Sequence, residues 1–134
     1  MSSDSKVRSQ VGEILQWFND LVSRRDPHVM AEFAPVDEII LVGSETGEVA
    51  NGRHEIQVFF ERVFAREGTF SWEWDRVEAW GEGDLAWFFA EGWAIYATTK
   101  EQRKLPYRAS GVLERYGERW LWRQYHGSEP VRNE

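Results

Sequence analysis

Between Val7 and Val22 the apolar side chains fall at Val7, Val11, Ile14, Leu15, Phe18, Leu21 and Val22. That spacing gathers them on one side of a helical period and predicts an amphipathic helix over residues 7–24 with one buried face. "RRDPHVMAEFA" follows, with Asp26 placed as an N-cap and Pro27 at the first helical position, so a second, short helix is expected to about Phe33. "VDEIILVGS" reads as a short strand that ends in the glycine-rich loop "GSETGEVANG". A third helix is expected after Asn51-Gly52, carrying Ile56, Phe59, Phe60, Val63 and Phe64 on one side.

From Thr69 the period drops to two. "TFSWEWDRVEAWG" places Phe70, Trp72, Trp74 and Trp80 on one face, with Ser71, Glu73 and Asp75 opposite. The turn "GEGD", the strand "LAWFFAEGWAIYATT", the loop "TKEQ", the strand "KLPYRASGVLERY", the turn "GER" and the strand "WLWRQYHGSEP" complete an antiparallel series. Alternation in the last strand groups Trp120, Trp122, Gln124, His126 and Ser128, with Leu121, Arg123 and Tyr125 on the reverse. Helices first and a long antiparallel sheet last make an α+β pattern. A single domain over residues 1–134 is expected, with about 1–6 and 129–134 as loose ends.

The stretch "LAWFFAEGWAIY" is apolar on both faces: Ala86, Phe88, Ala90 and Ala94 on one, Leu85, Trp87, Phe89, Trp93 and Ile95 on the other. An antiparallel sheet with one wet side alternates, so two apolar faces need two covers. The helices supply one, and a second copy of the chain is the expected other, giving a homodimer through the sheet. The alternative is a strand buried at the centre of a single core.

Composition adds weight to this. The 134 residues include 8 Trp, 8 Phe and 4 Tyr, enough ring bulk either to wall a cavity or to build a dimer face. A net charge of −7 with no basic stripe argues against nucleic acid or an anionic membrane as partner. The lack of Cys excludes disulfides, thiol nucleophiles and cysteine zinc sites. No apolar stretch follows "MSSDSKVRSQ" and none elsewhere is long enough to span a bilayer, so a cytoplasmic protein is expected.

Three stretches carry a family resemblance: Gly52 with Ile56, Phe59 and Phe60; "GDLAWF" at 83–88; and Trp120 with His126 and Ser128. With the order of elements, they make the chain resemble the SnoaL-like branch of the nuclear transport factor 2-like superfamily over nearly its whole length. The last strand is also similar to that of calcium/calmodulin-dependent kinase association domains. The resemblance implies a cone-shaped α+β barrel, with three N-terminal helices packed on a strongly curved, mixed but mostly antiparallel sheet, a pocket at the wide end, and usually a dimer. Its members include isomerases, dehydratases, hydrolases, cyclases and binding or assembly modules, so fold alone does not choose an activity. It also implies that Trp17 and Asp20, off the main stripe of the first helix, look into the cone. With Trp72, Trp74, Phe88 and Tyr125 they form the expected binding set for a flat, mostly apolar ligand.

Residue chemistry narrows the choices. Steroid isomerase chemistry needs a carboxylate base and a tyrosine donor at positions that fall near Ile40 or Leu41 and near Trp17 or Phe18, none of which can serve. Among polar residues interrupting apolar strands, Glu91, Arg108 and His126 are the acid–base candidates. Glu91 paired with Arg108 or Arg123 could orient a water or a carbonyl, or could only set strand register. His126 is read first as a packed or interface residue and second as a base. His28 and His54 stand at helix starts, "RHEIQV" lacks the second His of a zinc helix, and "GSETG" lacks the glycine spacing of a nucleophile elbow. No metal or cofactor is expected. The leading expectation is a pocket protein that binds or converts a hydrophobic metabolite by cofactor-free acid–base chemistry, and the alternative is a dimeric assembly module with a filled cone.

Overall fold

The structure, a computed structural model, describes residues 4–131. The ends expected to be loose, at about 1–6 and 129–134, thus fall partly outside the described residues. Helix α1 runs Ser5–Ser23 and starts where the Asp4 carboxylate accepts from the Lys6 and Val7 amides. Val11, Leu15, Phe18, Leu21 and Val22 are its buried residues, the stripe that the spacing predicts. It ends in a Schellman motif: the Asp26 amide reaches the Leu21 carbonyl, the Arg25 amide reaches Val22, and Arg25 takes the left-handed conformation (φ 55°). Asp26 then caps the short helix Pro27–Glu32, which is a 3-10 helix.

Strand β1 is short, Ile40–Val42. The glycine-rich segment read as a loop contains a second strand, β2 (Val49–Asn51), which pairs antiparallel with β1. Three residues are too few for alternation to show. Helix α2 (Arg53–Ala65) follows, and then β3 (Thr69–Glu82), β4 (Leu85–Ala97), β5 (Gln102–Tyr116) and β6 (Arg119–Ser128). The six strands lie in the order β2-β1-β6-β5-β4-β3, an open sheet that is antiparallel except where β1 runs parallel to β6. The helices cover one face. At the β3 border, α1 is tied to the sheet at two points: the Asp4 amide donates to the Ala79 carbonyl, and the Trp72 amide donates to Asn19 Oδ1 at 2.7 Å.

Two bulges change which side chains meet. Register shifts between Trp74 and Arg76 in β3, so Trp72 and Ala79 are both buried while Trp80 pairs with the exposed Trp87 on the outer face. Trp80 therefore does not share a side with Trp72 and Trp74. A second shift, opposite Val112 and Leu113, falls at Arg123 in β6. It brings Trp122 and Tyr125 to the same buried side, with ring centroids 5.3 Å apart, and leaves His126 exposed on the other. The Trp122–His126 grouping expected from strict alternation is thus broken by one inserted residue.

Phe18 is the hub of the core. Its ring lies 5.4–6.2 Å from those of Phe33, Phe60, Trp72, Trp122 and Tyr125, joining α1, α2, β3 and β6. In β4 the face with Ala86, Phe88, Ala90 and Ala94 is buried under the helices. Its reverse, with Leu85 and Trp87 exposed and Phe89, Trp93 and Ile95 half-buried, is left uncovered by the described elements.

Candidate functional site

A cavity of about 140 Å³ opens between the C-terminal ends of α1 and α2, the β1–β2 hairpin and the near ends of β3 and β4. Phe18, Phe59, Phe60, Phe64, Phe70 and Trp72 give it apolar walls, and Tyr107 and Tyr125 reach it from β5 and β6. Cavities near 150 Å³ accept a benzene-sized guest, so the space suits about one ring with more room toward the mouth.

The floor is polar in an unusual way. Tyr125 is 3% exposed, yet among the described residues its hydroxyl has no hydrogen-bond partner, and the same holds for the Trp72 indole N–H. Both groups stand near the Tyr107 oxygen, close enough to pull the Tyr107 pKa down somewhat, but neither closes a well-formed hydrogen bond to it. Burial dominates and pushes the Tyr107 phenol up to about 12, with the carboxylates of Glu48 and Glu129 adding to the rise. Burial likewise drives Tyr125 well above the usual tyrosine value. A buried donor without a partner costs about 1–3 kcal/mol. Trp74 and Trp122 carry the same deficit, but they do not line the cavity.

The rim is charged. Arg66, just past the end of α2, lies 3.7 Å from both Glu45 and Glu48, and Arg25 Nη2 donates to the Arg66 carbonyl at 3.1 Å. Glu129 Oε1 accepts from the Tyr96 hydroxyl at 3.0 Å and from Ser44 Oγ at 3.3 Å, which ties the end of β6 across to β4 and to the β1–β2 hairpin. Glu129 is therefore engaged at the rim. Burial, and then this hydrogen bond, raise the Tyr96 phenol well above its ordinary value.

Only part of the expected binding set meets here. Trp72 and Tyr125 line the cavity, while Trp74 stands behind them, stacked on Trp72 at 6.2 Å. Phe88 is packed against Trp122, away from the cavity. Trp17 is 46% exposed under the Arg24 guanidinium, and Asp20 accepts from Gln16 Nε2 on the helix surface. Phe18 takes the inward direction, so its neighbour in sequence must point elsewhere.

Glu91, Arg108 and His126 come together on the opposite, outer face of the sheet. Glu91 is the register partner of both Arg108 and Arg76, but its carboxylate is ion-paired with Arg76 at 3.5 Å. Arg108 and His126 are exposed, and none of the three touches the cavity. No grouping of three or more His, Asp or Glu suited to a metal occurs among the described residues, and no described helix is long and apolar enough to cross a membrane.

Tyr107, Tyr96 and Glu48 were not singled out by sequence pattern. One signal was available: Tyr107, Ala109 and Gly111 alternate along β5, and small residues beside a tyrosine permit a close approach.

Residues 11–132 match the SnoaL-like domain family. The chain belongs to that family. A SnoaL-like cone open at one end accounts for helices on one face of a six-stranded mixed sheet with the cavity beneath them. Solved structures agree on the fold. An NTF2-like family protein of Streptomyces avermitilis, provisionally assigned as a dehydratase, is 18% identical and superposes with a TM-score of 0.82 over 95% of this chain and 98% of its own. A Xanthomonas campestris protein provisionally assigned as a calcium/calmodulin-dependent kinase II association domain is 19% identical, with a TM-score of 0.80 over 95% and 89%. An NTF2-like superfamily protein of Salmonella enterica is 14% identical, with a TM-score of 0.80 over 97% and 95%. At these identities the SnoaL-like fold is what they share. No curated protein matches the chain.

Proposed function

We propose that this SnoaL-like chain binds a small, flat, mostly apolar molecule that presents one hydrogen-bond-accepting oxygen to the cavity floor. The observation that carries this is the pair of buried donors, Tyr125 hydroxyl and Trp72 N–H, left without partners at the end of an apolar cavity. An acceptor oxygen delivered there would relieve both deficits, while the rings of Phe70, Phe59 and Phe64 would hold the apolar body. Binding is better supported than conversion. The carboxylates that line the cavity, Glu45, Glu48 and Glu67, stand at its rim, and cofactor-free acid–base chemistry would have to use one of them. A cytoplasmic setting goes with a diffusible metabolite.

Titration of single-ring phenols and aryl ketones, followed by Trp fluorescence, tests the proposal. Saturable quenching that weakens at least several-fold in Tyr125→Phe supports it. No saturable response across the panel overturns it. An assembly role is the alternative, favoured by the uncovered flank with Trp87, Phe89 and Trp93, which a second copy of the chain would cover.

A further inference from the structure

We infer, given the pocket proposed above, that its ligand is a small arylalkylamine bound as its cation, with the ring inside and the ammonium group at the mouth. Acidic groups alone would not say this. Here they border a cavity whose floor already holds the unpartnered, 3%-exposed Tyr125 hydroxyl, so the rim and the floor address two ends of one guest.

Consider the charges at the mouth. Glu45, Glu48 and Glu67 line it, and Glu129 is bonded to its Tyr96 and Ser44. Two cations line it as well, Arg66 ion-paired with Glu45 and Glu48 and Arg25 on the neutral Arg66 carbonyl, so the three lining carboxylates outnumber them by one before Glu129 is added. Among the described residues Glu129 accepts only from neutral hydroxyls, which leaves its negative charge uncompensated by a direct partner. Two helices add to this. α1 ends at Ser23 and α2 at Ala65, and residues of both last turns, Val22 and Phe64, line the cavity. A helix C-terminus carries partial negative charge, which favours a cation beside it.

The phenols report the same field. At Tyr107 on the floor the charges that act are those of Glu48 and Glu129, and at Tyr96 by the mouth they are those of Glu129 and Glu45. All of them oppose further negative charge. An anionic guest would meet that repulsion, whereas a protonated amine would also gain from the aromatic rings of Phe70 and Tyr96.

Calorimetric titration of the full chain with three para-substituted phenols of different charge separates the outcomes: tyramine (cation), para-ethylphenol (neutral) and para-hydroxyphenylpropionate (anion). Tyramine is expected to bind about tenfold more tightly than para-ethylphenol, and the anion more weakly than either. In Glu129→Gln, whose amide oxygen keeps both hydrogen bonds, the preference for tyramine is expected to narrow several-fold while para-ethylphenol is unchanged. Equal binding of tyramine and para-ethylphenol, or strongest binding of the anion, overturns the amine inference and leaves the pocket standing. Failure of all three to bind overturns the pocket proposal and this inference with it. The wild-type comparison decides the matter even if the variant folds poorly.

Discussion

The Tyr107 hydroxyl lies directly over Gly127, so near that a Cβ at that position would land on the phenol oxygen. A glycine on β6 is thus what lets a β5 tyrosine lay its polar end on the cavity floor. Gly127→Ala is expected to lift the Tyr107 ring, destabilise the fold by about 1–3 kcal/mol and weaken phenol binding. Urea denaturation and the same fluorescence titration measure both effects. Unchanged binding would mean that Tyr107 is not needed on the floor.

Among the described residues the Tyr125 hydroxyl has no hydrogen-bond partner. Removing an unsatisfied buried donor should cost nothing, so Tyr125→Phe is expected to be as stable as the parent or up to about 1 kcal/mol more stable. A fall of the urea midpoint by more than that would show that the hydroxyl is bonded after all.

Tyr107 has its pKa raised in the folded state by burial, to about 12 from the ordinary 10.0, and burial raises Tyr125 in the same direction. A raised folded pKa means that the native state holds its proton longer than the unfolded chain does. The resulting stability is complete below pH 10.0 and is lost as pH climbs through about 12. Phenolate absorbance should therefore appear in two stages, with the buried tyrosines ionising only as helical circular dichroism collapses. Tyr107→Phe is expected to flatten the fall in stability above pH 10.0. Full ionisation with the fold intact would contradict this.

Helical and strand periods made much of the fold legible. The α1 stripe names its own buried face, and Asp26-Pro27 marks the next start. The outcome is different where one residue is inserted. Alternation is a two-state count, so an extra residue at Asp75 or Arg123 reverses the rest of the strand without leaving a mark in composition. That is why Trp80 and His126 turn outward and why Trp122 meets Tyr125. The cavity was harder still. Its parts come from segments as distant as Phe18, Glu48, Tyr96 and Tyr125, and only the folded register brings them together.

On the outer face Trp87 is 39% exposed and paired with Trp80, while Lys104 bridges to Glu73 and sits over the Trp93 ring at 5.1 Å. Aromatic rings set among charges of both signs suit a self-complementary contact. Light scattering at micromolar concentration is expected to give twice the 15.8 kDa chain mass, falling to the single mass in Trp87→Asp. A parent protein that stays at the single mass rules out the dimer.

Asn19 and Asp4 have a further effect, because they clamp α1 along the long outer strand of the sheet. A ribbon whose border is stitched to a helix offers no template on which another chain can grow. The opposite border is β2, three residues long, too short to seed one. Edge-to-edge growth is therefore disfavoured at both borders, and if two molecules associate, contact through the sheet faces is expected to close on itself rather than propagate as a fibre.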